Sequence, residues 1–137
     1  MHVRDGMSSM VLTVGPGHTL RHVSKLMVER RVGAAVVLDP EAPGPAIITE
    51  RDVLDAIGTG QDPDTETVAD HLTADLVFAR EDWSLEQAAT EMVRHGFRHL
   101  VVVDGSELVG VLSMRDIVRC WTSDGATSEL DGAPATA

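Results

Sequence analysis

Gly110-Val111-Leu112-Ser113-Met114-Arg115-Asp116 has an earlier echo in the same chain, Ala46-Ile47-Ile48-Thr49-Glu50-Arg51-Asp52. Each stretch is a small or apolar triplet, then a hydroxyl residue, then Arg-Asp. The triplet reads as the end of a buried strand. The hydroxyl residue reads as a helix N-cap, and the aspartate three positions on completes a capping arrangement.

Working outward, the likeness extends through both halves. A shift of 65 positions lays Leu20 on Leu85, Met27 on Met92, Val37 on Val102 and Asp39 on Asp104. One residue of slip in the next loop then lays Thr49 on Ser113 and Asp52 on Asp116. Upstream, Val3-Arg4-Asp5-Gly6-Met7 is echoed by Val68-Ala69-Asp70-His71-Leu72. A repeated unit of this size points to a duplicated supersecondary motif.

Each copy opens with a short apolar strand, Val11 to Val14 or Leu76 to Ala79. Thr19 and Ser84 are good N-caps for the helices that follow, and Gln87 stands at the capping-box position of Ser84. Helical spacing links Leu20, Val23, Met27 and Val28, and likewise Leu85, Ala88, Ala89, Met92 and Val93. Gly33 and Gly96 are expected to end these helices. Continuous apolar runs, Ala34 to Leu38 and Leu100 to Val103, read as buried strands. A second strand follows each, Ala46 to Ile48 and Leu108 to Leu112. Short helices, Glu50 to Ile57 and Met114 to Cys120 or Trp121, close the copies.

The fold class is therefore α/β (α+β type), two β-α-β-β-α repeats. A unit of roughly 50 residues buries too little surface to stand securely alone, so the two are expected to pack together with pseudo-two-fold symmetry. The expected divisions are 1-57 (first repeat with its lead-in), 58-67 (polar linker), 68-121 (second repeat) and 122-137 (a small, polar, disordered tail).

Composition narrows the function. The net charge is −11 and aromatic content is 3%, which argues against nucleic acid as a partner. No window is apolar enough to span a membrane, and the first residues lack the layout of a signal peptide; a cytoplasmic location is expected. Cys120 is the only cysteine, so it reads as a buried structural thiol. His18 and His22, and His95 and His99, are spaced by four, but neither pair sits within one helix and no further ligand completes a metal set. No nucleotide-hydrolysing loop or nucleophile elbow is present, and no catalytic residue is assigned.

The plan, the doubled lead-in and the doubled Ser/Thr-x-x-Asp motif resemble CBS domains, over about residues 3 to 121. The resemblance implies a regulatory tandem pair, a Bateman-type module, that binds AMP, ADP, ATP or S-adenosylmethionine in clefts between repeats. It also implies a homodimer formed through helices and an output protein still to be named. Asp52 and Asp116 would hold ribose hydroxyls, with Thr49 and Ser113 beside them. Arg51 and Arg115 add fixed positive charge. Arg98 and His99 stand where related proteins contact phosphate, and Phe78 completes the expected ligand set. The first copy has uncharged Gly33 and Ala34 at the Arg98-His99 step, and Ala46 in place of Gly110. Glycine permits close approach, so Gly110 is expected to admit the ligand, and the Asp116 site is expected to be the phosphate site. The alternative is an interaction module without a ligand; a weak nucleotide hydrolase is the remoter one.

Overall fold

The computed structural model describes residues 1–125. Its chain forms two compact units, Met10–Leu76 and a second built from Met1–Ser9 together with the chain from Val77 onward.

In the Met10–Leu76 unit, strand β1 (Thr13–Val14) runs parallel to β2 (Ala34–Val37), which pairs antiparallel with β3 (Ala46–Thr49). Helix α2 (Leu20–Arg30) bridges β1 and β2, and α3 (Glu50–Gly58) follows β3. In the other unit, α1 (Val3–Gly6) supplies the lead-in turn. β4 (Phe78–Arg80) runs parallel to β5 (His99–Asp104), which pairs antiparallel with β6 (Glu107–Ser113). Helix α4 (Leu85–His95) joins β4 and β5, and α5 (Met114–Cys120) follows β6. This is the mixed α/β plan read from the sequence.

The repeated apolar positions build equivalent cores. Leu20, Met27, Val37 and Ile48 lie in the first, with Leu85, Met92, Val102 and Leu112 in the second. Every residue of β2 is buried, which is why the run lacks the alternation of a half-exposed strand. Cys120 is buried in the second core one slip-corrected repeat from Ala56 in the first. A small apolar role accounts for both. Met27 and Met92 are core residues as expected and Met7 is partly buried against the core, whereas Met10 is exposed. Trp83 and Trp121 are half-buried against the second core.

Repeat and packing unit differ. Val3 is buried in the core of α4 and α5, and Val68, its echo, in the core of α2. Ser8 exchanges two backbone hydrogen bonds with Val111 on β6, at 2.9 and 3.0 Å, and Thr73 does the same with Ile47 on β3. The lead-in that begins the chain thus completes the sheet of the second motif. Segment 58–67 is not a loose tether either. Glu66 O accepts from Leu20 N–H at 3.0 Å and Pro63 O from Arg21 N–H at 3.0 Å, which docks it on the start of α2.

Two helix-end expectations are corrected. α2 ends at Arg31, which takes the left-handed conformation with φ 56°, not at Gly33. Its counterpart one repeat on is Gly96, with φ 72°. At α4, Ser84 Oγ accepts from Gln87 N–H at 3.0 Å, but the reciprocal Gln87 arm of the capping box does not form. Beyond α5, Trp121–Gly125 continues as a π-helical turn; the remainder of the expected tail, 126–137, lies outside the described residues.

Candidate functional site

The expected ligand residues fall into two groups, one per unit. Phe78, Arg98, His99, Ser113, Arg115 and Asp116 gather at one end of the β4-β5-β6 sheet. Register places His99 opposite Ser113 and Phe78 opposite Val101. Because strand side chains alternate, Phe78, His99 and Ser113 share the sheet face opposite Ala79, Leu100 and Leu112, which pack into the core. Thr49, Arg51 and Asp52 gather at the matching end of β3, with Ala34 opposite Thr49.

Both motifs close as capping boxes. Ser113 Oγ accepts from Asp116 N–H at 3.0 Å, and Ser113 N–H donates to Asp116 Oδ2 at 2.8 Å. In the first copy, Asp52 N–H donates to Thr49 Oγ1 at 3.3 Å, and Thr49 N–H donates to Asp52 Oδ2 at 2.8 Å. Thr49 Oγ1 also donates to Asp52 Oδ2 at 3.1 Å. These bonds fix each carboxylate at the mouth of its helix, half-buried, with one oxygen committed to the backbone.

The helix starts are less open than their sequence suggests. Met114 N–H donates to Arg98 O, and Glu50 N–H to Gly33 O, each at 2.9 Å. With the third amide capped, only the Arg115 and Arg51 amides of the first three are left without an acceptor among the described residues. The same bond fixes Arg98 at the mouth of α5 by its backbone and leaves its guanidinium in solvent. Among the described residues, Arg51, Arg98 and Arg115 are exposed and enter no ion pair. They are positive charge available to an anion.

Two features of the site depart from the sequence reading. Asp116 Oδ1 is held by Arg119 Nη1 at 3.0 Å, with Asp116 16% and Arg119 61% exposed, and Arg119 Nη2 donates to Gly6 O at 3.4 Å. Asp52 Oδ1 has no such partner among the described residues. The three-residue spacing of Asp116 and Arg119 was the available signal.

The second feature is Gly110. A Cβ there would lie 2.8 Å from Met7 Sδ, 2.9 Å from Ser8 O and 3.2 Å from Met7 Cγ. The space is filled by the chain's own lead-in, so the glycine serves that close approach, not the approach of a ligand. Ala46, its counterpart opposite Val37, carries a methyl group within the first core.

Among the described residues no group of three or more His, Cys, Asp or Glu side chains is placed to hold a metal ion. His18 and His22 stack, with ring centroids 4.8 Å apart. No described helix is long and apolar enough to cross a membrane.

The CBS domain model matches residues 2–59 and 68–122. The chain is 32% identical to the CBS domain-containing protein YhcV of Bacillus subtilis over 130 residues, 93% of this chain and 91% of that one. It is 31% identical to protein MJ1225 of Methanocaldococcus jannaschii over 128 residues, but spans only 45% of that longer chain. Among solved structures, the CBS domain pair of protein MJ0100 in complex with 5′-methylthioadenosine and S-adenosyl-L-methionine superposes with a TM-score of 0.79. That match is at 21% identity and covers 90% of this chain and 97% of the other.

Proposed function

Because the chain belongs to the CBS domain family, we propose that it is a regulatory pair that binds an adenine nucleotide or another adenosyl compound and signals that state to a partner protein. The carrying observation is the doubled capping box, which presents a fixed, half-buried carboxylate at each helix mouth. A carboxylate has acceptors for both hydroxyls of a vicinal diol, which suits Asp116 and Asp52 to ribose. That the MJ0100 pair holds two adenosyl compounds supports this ligand class.

The Asp116 group is the phosphate-binding one. Arg98 and Arg115 bring guanidinium groups to the same sheet end, and His99 stands on β5 opposite Ser113. The first copy has Gly33 and Ala34 at the Arg98-His99 step. The pair acts as a sensor without catalysis of its own, in the cytoplasm. It forms a homodimer through its helices. Val28 and Val93, one repeat apart on α2 and α4, are 77% and 75% exposed, and Leu54 on α3 and Val118 on α5 are also exposed.

AMP, ADP, ATP and S-adenosylmethionine should each be titrated against thermal stability. A ligand at 100-fold its Kd adds about 2.7 kcal/mol, and Asp116→Ala should abolish the shift given by ATP while Asp52→Ala leaves most of it. Equal losses in both variants would overturn the assignment to Asp116. No shift with any adenosyl compound would favour a module that docks a protein without a ligand.

A further inference from the structure

The two copies carry opposite charge at the position one turn beyond the motif aspartate. In α5 it is Arg119, which holds Asp116 Oδ1 at 3.0 Å. In α3 it is Asp55, exposed and three residues beyond Asp52. Side chains at that spacing are neighbours on a helix, about 5–6 Å apart at Cβ. The Asp116 carboxylate is therefore neutralised by its neighbour, and the Asp52 carboxylate is reinforced.

The whole of each helix start follows the same sign. Arg115 and Arg119 against Asp116 leave one positive charge on α5. Arg51 against Glu50, Asp52 and Asp55 leaves two negative charges on α3.

We propose that positions 119 and 55 select the ligand by charge. Arg119 admits a phosphate-bearing adenosyl compound beside Asp116. Asp55 turns phosphate away from Asp52 and favours an adenosyl compound without phosphate, neutral or carrying a sulfonium. A guanidinium has five N–H donors, so Arg119 keeps donors for a ligand while it holds Asp116. The Asp116 carboxylate keeps a lone pair on Oδ1 for a hydroxyl. The proposal rests on the adenosyl-binding reading and adds to it the residues that decide which adenosyl compound each motif takes.

The test is calorimetric titration of the full chain with ATP, 5′-methylthioadenosine and S-adenosylmethionine. Three variants are compared with the wild type: Arg119→Asp, Arg119→Gln and Asp55→Arg. A unit charge a few ångströms from phosphate at an exposed site is worth about fivefold in affinity, and its reversal about thirtyfold. Arg119→Asp should therefore weaken ATP by about thirtyfold and methylthioadenosine by less than about twofold, with Arg119→Gln between. Asp55→Arg should create a second ATP site and weaken S-adenosylmethionine. Parallel losses of ATP and methylthioadenosine in Arg119→Asp would mark a structural role and overturn the proposal, as would an unchanged ratio of the two. Thermal melts without ligand establish that each variant is folded, and Arg119→Gln carries the comparison should the reversal unfold. A wild type that binds none of the three would overturn the adenosyl reading itself; one that binds them with a ratio indifferent to all three variants overturns charge selection alone.

Discussion

Gly110→Ala adds one methyl group to β6, and its effect can be worked from the neighbours. The new Cβ would lie 2.8 Å from Met7 Sδ and 2.9 Å from Ser8 O. The methionine tail can swing away. The Ser8 carbonyl cannot move without disturbing its 3.0 Å bond from Val111 N–H and the 2.9 Å return bond from Ser8 N–H. Overpacking of this kind costs about 1–3 kcal/mol, and each backbone bond lost adds about 1 kcal/mol. Alanine in place of glycine in a strand returns about 0.5–1 kcal/mol. With one of the two bonds lost, Gly110→Ala should therefore destabilise by about 1–3.5 kcal/mol. Urea denaturation measures the loss, and hydrogen exchange at the Val111 and Ser8 amides should accelerate. Met7→Ala in the Gly110→Ala background should not recover the loss, because the sulfur can already swing aside, the carbonyl clash remains, and the packing of Met7 against the core is given up. A neutral or stabilising Gly110→Ala with unchanged exchange at Val111 would refute the close-approach argument and restore a ligand-facing role for Gly110.

Two further changes probe local physics away from the motifs. Arg31 adopts the left-handed conformation that glycine adopts at Gly96, so Arg31→Gly should stabilise by about 0.5–1 kcal/mol in thermal or urea melts; destabilisation would mean that the arginine side chain makes a compensating contact. Arg21 holds the carboxylate of Asp64 and keeps it below the usual aspartate range, the side-chain hydrogen bond being the leading cause. A depressed carboxylate stabilises the fold above its unfolded pKa and loses that contribution as pH falls through the folded value. Arg21→Ala should move the Asp64 titration upward when followed by carboxyl carbon chemical shift, and both groups are too exposed for a measurable change in overall stability.

The doubled motif made most of the fold legible. Two copies of an apolar triplet and an N-cap, in register with two copies of helical spacing, leave little room for another plan. The capping geometry at Ser113 and Thr49 followed from residue type alone. What stayed hidden depended on distant pairing. Val3 and Val68 are chemically identical, so nothing in either segment says which core it enters. Gly110 announced a need for space, but only the structure shows that Met7 and Ser8 fill it. Glycine is the usual left-handed residue, which points to Gly33 as the end of α2; the helix instead ends two residues earlier, where Arg31 accepts the strain. Arg119 escaped because a three-residue spacing between opposite charges is common on any helix, and only its geometry ties it to the motif.

The placement of the lead-ins gives the two motifs unequal standing. Thr73, which borders β3, follows the first motif directly along the chain, and the unit Met10–Leu76 is continuous. Ser8, which borders β6, reaches it only after residues 10–76 have been traversed. Closing so long a loop costs only slightly more than closing a short one, so the arrangement is thermodynamically cheap. It does make the second unit depend on residues far away in sequence. Arg119 is the side chain that meets both partners, Asp116 Oδ1 on one arm and Gly6 O on the other. On the proposed reading, Arg119 keeps hold of Asp116 and turns its other donors to a phosphate, so the Gly6 contact is the one in competition. At 3.4 Å that contact is also the weaker of the two by length. On that reading, occupancy at Asp116 would bear on the lead-in turn Val3–Gly6 through one residue, whereas Asp55 in the first copy, a carboxylate, offers its lead-in no such donor. If the pair is the sensor proposed above, the motif that carries the arginine is the one coupled to its lead-in.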